Sequence, residues 1–277
     1  MEYRVGRKVS MEETKNKNLL SKTFFDLKKY KEFVVFNSKY ELKVQVANTL
    51  LGYVWWLLDP LFHMIVYTIL FTVIFEGRTE AFPLFVFCAL LSWKWFTSSL
   101  MNSANAIRSK ISILNQTYIP KFLLPLTQSI VNFTKFIFGL VILFPMIFIF
   151  NIKLTFHFFE IIIIIFVNFL FLYGCSLLVA HYGVFFKDMK NLLTHIIRLW
   201  FYVSPGLYSL DMIPESVRFI WWLNPFTTFF ESYRNVIMYE SSPLYGPLLI
   251  LGLISLGLIY FGLAKLNKYD KTYLKMS

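Results

Sequence analysis

Hydrophobic positions in this chain run together instead of alternating with polar ones. Residues 50–75, LLGYVWWLLDPLFHMIVYTILFTVIF, contain one formally charged side chain, Asp59. At about 1.5 Å per helical residue, such a run crosses a hydrocarbon core of roughly 30 Å with some tilt. Further apolar runs follow at about residues 82–101, 122–150, 158–186, 192–208 and 245–263. They are too long for barrel strands, so helices are expected.

The polar segments between them are mostly short, at residues 76–81, 151–157 and 187–191. A longer one, 102–121, has room for one short helix ending before Pro120. Residues 209–243 are broken by Pro214, Pro225 and Pro243, and no piece reaches span length. Two short re-entrant helices in the outer leaflet fit that pattern. Residues 24–45 interleave Phe25, Leu27, Tyr30, Phe33, Val34 and Phe36 with Lys28, Lys29, Lys31 and Lys39. This predicts an amphipathic helix lying at the headgroup level, with a solvated helix packed on a partner as the alternative. Residues 1–23 are polar and basic, with no apolar signal-peptide core. The expected fold is an all-α integral membrane protein with six transmembrane helices, an N-terminal interfacial helix, and outer re-entrant helices between spans five and six. The expected divisions are a cytosolic N-terminus at 1–49, a transmembrane domain at 50–263 and a basic tail at 264–277.

Composition agrees, with 16% charged residues where a soluble domain carries roughly a quarter. A net charge of +11 on a soluble chain would suggest nucleic acid. On a membrane chain it reflects topology and anionic lipid, and no nucleic-acid partner is expected. With the N-terminus inside, the cytosolic pieces hold twenty Lys and Arg against four outside, Arg78, Lys153, Arg218 and Arg234. That bias places both termini in the cytosol. Cys88 and Cys175 both sit in apolar runs, and a disulfide is not expected.

No enzyme constellation emerges. The chain has no GxxxxGK[ST] phosphate loop, and its four histidines lack metal-ligand spacing. No catalytic or metal-binding residues, and no resident cofactor, are therefore expected. Lys135 and Arg198 are read as lying toward cytosolic span ends, where long side chains snorkel. Lys94, between Trp93 and Trp95, lies deeper and must face protein, water or an anion. Trp56, His63 and Tyr67 share one helical stripe, as do Trp200, Ser204 and Tyr208. Such side chains suit either a carbohydrate-lined path or ordinary packing and interfacial belts.

Several segments, in order, resemble the membrane subunits of ABC-2-type exporters of surface polysaccharides and polyol phosphates. They are LLGYVWWLLDP (50–60), NQTYIPKFLLP (115–125), GVFFKDMKNLL (183–193), FYVSPGLYSLDMIP (201–214) and LNPFTTFFESYR (223–234). The ending ESYRNVIMY (231–239), with Glu231, Tyr233 and Arg234, most resembles teichoic-acid translocation permeases; O-antigen and capsule exporters are similar too.

The resemblance implies a bacterial plasma-membrane permease. Two copies of it would pair with two separate ATPase subunits that carry the ATP and Mg. The resemblance implies a polymer linked to undecaprenyl diphosphate, wall teichoic acid first, with O-antigen, capsule or another surface glycan as alternatives. The family's coupling helix maps onto residues 108–118, here Arg108, Lys110, Ile111, Leu114, Gln116 and Tyr118. Its path runs along spans one and five, where the two aromatic stripes lie. Lys135 and Arg198 become inner-face candidates for the diphosphate. Asp59 and Lys94 depart from the family pattern. More remote readings are a secondary transporter, which would need internal repeats and paired intramembrane ionisable groups, and a polyprenyl-linked sugar transferase, which would need a catalytic carboxylate spacing.

Overall fold

The computed structural model describes residues 19–74, 81–273 and 275. Residues 1–18, most of the turn expected at 76–81 with its Arg78, and Leu274, Met276 and Ser277 lie outside them. The described residues form helices and turns, without strands.

The basic segment forms two helices, α1 (Leu19–Lys29) and α2 (Lys31–Val46), where one was expected. The break falls at Tyr30, whose hydroxyl donates to the Tyr118 carbonyl at 3.3 Å. Breaking there lets the Tyr30 ring reach across to the turn that precedes the third span. Phe24, Phe36, Tyr40 and Val44 are exposed among the lysines, as expected of helices lying against an apolar surface. Asn48 and Gly52, with φ of 61° and 51°, then turn the chain into α3 (Trp55–Ile69), which ends in a wider π turn at Leu70–Ile74.

The long helices that follow are α4 (Phe82–Ser103), α6 (Leu123–Ile149), α7 (Ile161–Phe185) and α11 (Tyr245–Lys268). A short helix, α5 (Ile111–Gln116), sits in the 102–121 loop. Among the described residues, five helical stretches are long and apolar enough to cross a membrane: Gly52–Thr72, Phe82–Ser103, Leu123–Ile149, Phe156–Phe185 and Tyr245–Lys268. Of these α4 is the central pillar, buried along most of its length, whereas α3 is scarcely buried. The pillar is fixed by polar contacts as well as by apolar area. Asn168 on α7 donates to Ser92 Oγ at 2.8 Å, and Trp95 Nε1 donates to the Ser129 carbonyl of α6 at 3.3 Å.

The run expected to be span five behaves differently. Its helix α8 (Met189–Val203) has 15 residues, about 22 Å at 1.5 Å each, and stops short of residue 208. Ser204 is extended because Pro205 follows it. The chain still changes ends along α8. Close contact between Gly183 and the Ala104 carbonyl puts the ends of α7 and α4 together. Arg234 bonds Gly206 and Phe85 at the other end of the bundle. Two short helices do form in 209–243: α9 (Glu215–Trp222), largely exposed, and α10 (Pro225–Ile237), largely buried. Asn224 separates them, accepting the Phe226 N–H at 3.1 Å as an N-cap before Pro225.

The last helix runs on to Lys268, past the boundary expected at 263, and is followed by α12 (Asp270–Tyr273). His181 Nδ1 lies 2.7 Å from Tyr273 Oη, and Lys22 Nζ donates to Asn267 Oδ1 at 2.9 Å. Both described ends of the chain therefore meet at one end of the bundle, the basic one.

Candidate functional site

A cavity of about 230 Å³ opens between α3, α4 and α6. Its walls include Trp55, Trp56, Asp59, Lys94, Asn132 and Lys135. Lys94 Nζ donates to Asp59 Oδ2 at 2.5 Å. His63, one turn beyond Asp59, places Nδ1 3.1 Å from Lys94 Nζ and 2.9 Å from the Asp59 carbonyl oxygen. Lys135 Nζ lies 6.0 Å from the centre of the Trp56 ring, a cation–π distance. The two residues that departed from the family pattern are thus partners, and Lys94 finds a carboxylate. They also supply the paired intramembrane charges that the sequence did not reveal.

Lys135 is not near a helix end. It is the thirteenth of the 27 residues of α6, about 18 Å along the axis, so snorkelling does not describe it. Arg198 is exposed on α8 and does not line this cavity. The two expected diphosphate ligands are therefore not brought together.

The two aromatic stripes also separate. On α3, Trp56 packs edge-on to Phe138, and His63 and Tyr67 remain partly accessible, with ring centres 6.3 Å apart. On α8, Trp200 turns inward. Its ring packs against Trp93, Phe96 and Phe226, and its Nε1 donates to Asn224 Oδ1 at 3.1 Å. Ser204 is buried, donating to the Trp200 carbonyl at 2.7 Å and accepting from Asn224 Nδ2 at 2.8 Å. Tyr208 accepts from Trp221 Nε1 at 2.9 Å. These three side chains hold α8 to the α9–α10 pair. The exposed aromatic on α8 is Tyr202, which the stripe count passed over.

At the basic end, Arg108 donates to the Val184 carbonyl at 2.9 Å. Lys110 binds Glu41 at 2.7 Å and Asn37 Oδ1 at 2.5 Å, and Leu114 is buried. Burial, and then the carboxylates of Asp270 and Asp26, pushes the Tyr118 phenol up. Behind Tyr118, buried Lys121 pairs with Asp270 at 3.3 Å. Of the coupling candidates, Arg108, Lys110, Leu114 and Tyr118 hold α5 down and Ile111 is half-buried. Gln116, with Ser112, Ile113 and Asn115, faces outward.

At the opposite end, the fully buried Arg234 donates to Glu231 at 2.7 Å and to the Gly206 carbonyl at 3.0 Å, with its guanidinium 3.4 Å above the Phe85 ring centre. Tyr233 beside it is buried as well. Glu231 and Arg234 thus act as internal ties, while Tyr233 is packed in the core.

An all-α bundle with five membrane-length apolar helices and a charged cavity among three of them defines a multi-pass membrane protein. The chain belongs to the ABC-2 type transporter family, whose model matches residues 33–238. It is 28% identical over 237 residues to the O-antigen export system permease protein RfbA of Myxococcus xanthus, covering 85% of this chain and 91% of that one. It is also 28% identical over 206 residues to a protein of the same name from Klebsiella pneumoniae, covering 74% and 79%.

Proposed function

We infer that this chain is the permease subunit of an ATP-driven exporter. Two copies, paired with two ATPase subunits, move an undecaprenyl-diphosphate-linked surface glycan from the cytoplasmic to the outer face of a bacterial plasma membrane. The observation that carries this reading is the family match over residues 33–238, joined to relatives named as O-antigen export permeases. Those names favour an O-antigen-type glycan. The 231–239 segment, ESYRNVIMY, is the specific feature that favours wall teichoic acid.

The basic end faces the cytosol in this reading, with both termini inside and α1 and α2 lying on anionic lipid. The outward face of α5 rests on the ATPase. ATP-driven closure of the ATPase pair pushes α5, and the ties through Arg108 and Lys110 pass that movement to α7 and α2. The glycan path runs between the two copies along α3 and α8, where His63, Tyr67 and Tyr202 offer accessible rings on which sugars slide. Arg198, exposed on α8, is the diphosphate candidate that remains beside this path.

The test is co-purification with a P-loop ATPase encoded beside the gene, followed by the lipid-linked glycan profile of a deletion strain. Undecaprenyl-linked polymer should accumulate inside and return to normal on complementation. A chain that purifies without any ATPase, from a strain whose surface glycans are unchanged, would overturn the reading.

A further inference from the structure

We propose that the cavity between α3, α4 and α6 binds a monoanionic phosphodiester carried on a lipid. The site adjoins the α3–α8 glycan path at His63, and the inference does not depend on the export reading.

Charge is the first argument. Asp59 and Lys94 cancel one another at 2.5 Å. Lys135 lines the same cavity and forms no ion pair among the described residues. The cavity therefore holds one net positive charge, midway along a membrane-length helix, where an uncompensated cation is costly. An anion of charge minus one would neutralise it.

Hydrogen bonding is the second. Asn132 also lines the cavity and is buried, donating its Nδ2 to the Gln128 carbonyl at 2.9 Å. Its Oδ1 is buried without a hydrogen-bond partner. The two ammonium groups on the wall, at Lys94 and Lys135, suit the anionic oxygens of a phosphodiester.

Size and surroundings are the third. A volume of about 230 Å³ falls below the usual range of roughly 300–1,000 Å³ for small-molecule sites. It holds a headgroup and excludes a polymer segment. Trp55 on α3 lines the cavity and is exposed at its mouth, so an acyl chain has an apolar surface to follow there. An anion reaching this depth from within a bilayer comes attached to such a chain.

The experiment titrates dioleoyl phosphatidylglycerol into the full chain, purified in neutral detergent with any co-purifying subunit retained, and counts bound lipid by native mass spectrometry. Phosphatidylcholine and glycerol 3-phosphate are the comparison probes. One phosphatidylglycerol per chain should bind in preference to phosphatidylcholine. Lys135→Met should weaken that binding by about tenfold or more, the usual effect of losing a charge-assisted hydrogen bond, while Lys135→Arg retains it. Asp59→Asn should tighten it, because the cavity then carries two cations. Lys135→Met without lipid should melt no lower than the parent, since it removes an unpaired charge; if that variant does not fold, the Asp59→Asn comparison decides.

Equal binding of phosphatidylglycerol to the parent and Lys135→Met, or weaker binding to Asp59→Asn, would overturn the proposal. So would displacement of phosphatidylglycerol by equimolar glycerol 3-phosphate, which would mark a site for free phosphate instead. Binding is read without ATP hydrolysis or transport, so failure here leaves the exporter reading intact, and the reverse holds too.

Discussion

Asp59 on α3 and Lys94 on α4 stand 35 positions apart in the chain and meet at 2.5 Å. Neither charge is suited to an apolar span alone, and each compensates the other. The pair also joins the least buried long helix to the most buried one. Asp59→Asn or Lys94→Met alone should cost about 2 kcal/mol, between the values for surface and fully buried pairs. The double variant should recover most of that loss. Thermal unfolding in detergent, read as a double-mutant cycle, checks the coupling; additive losses would mean that the two side chains do not act as a pair.

A Cβ built on Gly183 would overlap the carbonyl oxygen of Ala104, a backbone atom that cannot swing aside. Gly183→Ala should therefore part the ends of α4 and α7 and cost about 3 kcal/mol. Gly252 lies in α11 with open space where its Cβ would be, so Gly252→Ala should be neutral or stabilising by up to about 1 kcal/mol. Monodisperse yield after graded heating separates the two. Similar behaviour of both variants would refute the close approach at Gly183.

Arg234 supplies hydrogen bonds to Glu231 and Gly206 from a fully buried position. Arg234→Met strands the Glu231 carboxylate and should destabilise the chain by about 3–5 kcal/mol. Arg234→Lys should fall between it and the parent, because an ammonium lacks the guanidinium fork. Adding Glu231→Gln to Arg234→Met should restore part of the loss. A fully stable Arg234→Met protein would show that α10 is held by apolar packing alone.

The two faces of α5 should respond differently to substitution. Leu114 is buried, and Leu114→Ala should lower stability by about 2–5 kcal/mol. Its neighbour Ile113, about 100° round the helix, is half exposed. Ile113→Glu should leave the melting temperature unchanged and reduce recovery of the proposed ATPase partner several-fold. Pull-down yield and unfolding, measured on the same preparations, check both. Loss of stability in Ile113→Glu would mean that its face is not the outward one.

The stripe of Trp200, Ser204 and Tyr208 suited either a carbohydrate-lined path or ordinary packing. The Trp200 ring packs against Trp93, Phe96 and Phe226 and donates to Asn224. Its truncation should therefore cost about 3–5 kcal/mol of stability. Trp200→Phe keeps most of the packing and should fold. Export at parental levels by Trp200→Phe, together with reduced export by Tyr202→Ala, would place the α8 aromatic of the path at Tyr202.

Apolar run length determined where the long helices lie, because membrane thickness sets a local requirement that residues 82–103, 123–149 and 245–268 meet by themselves. Proline spacing likewise marked the two short helices of 209–243. The end of α8 was also written in the sequence, at Pro205, but the apolar residues beyond it masked the signal. Only the tertiary structure decided that Asp59 meets Lys94, that Lys135 lies at mid-helix in a cavity, and that Trp200 and Ser204 turn inward. The physical reason is shared by all three. Helices that are apolar nearly all round carry little record of which face is buried, so neighbours and orientation come from packing between segments far apart in the chain.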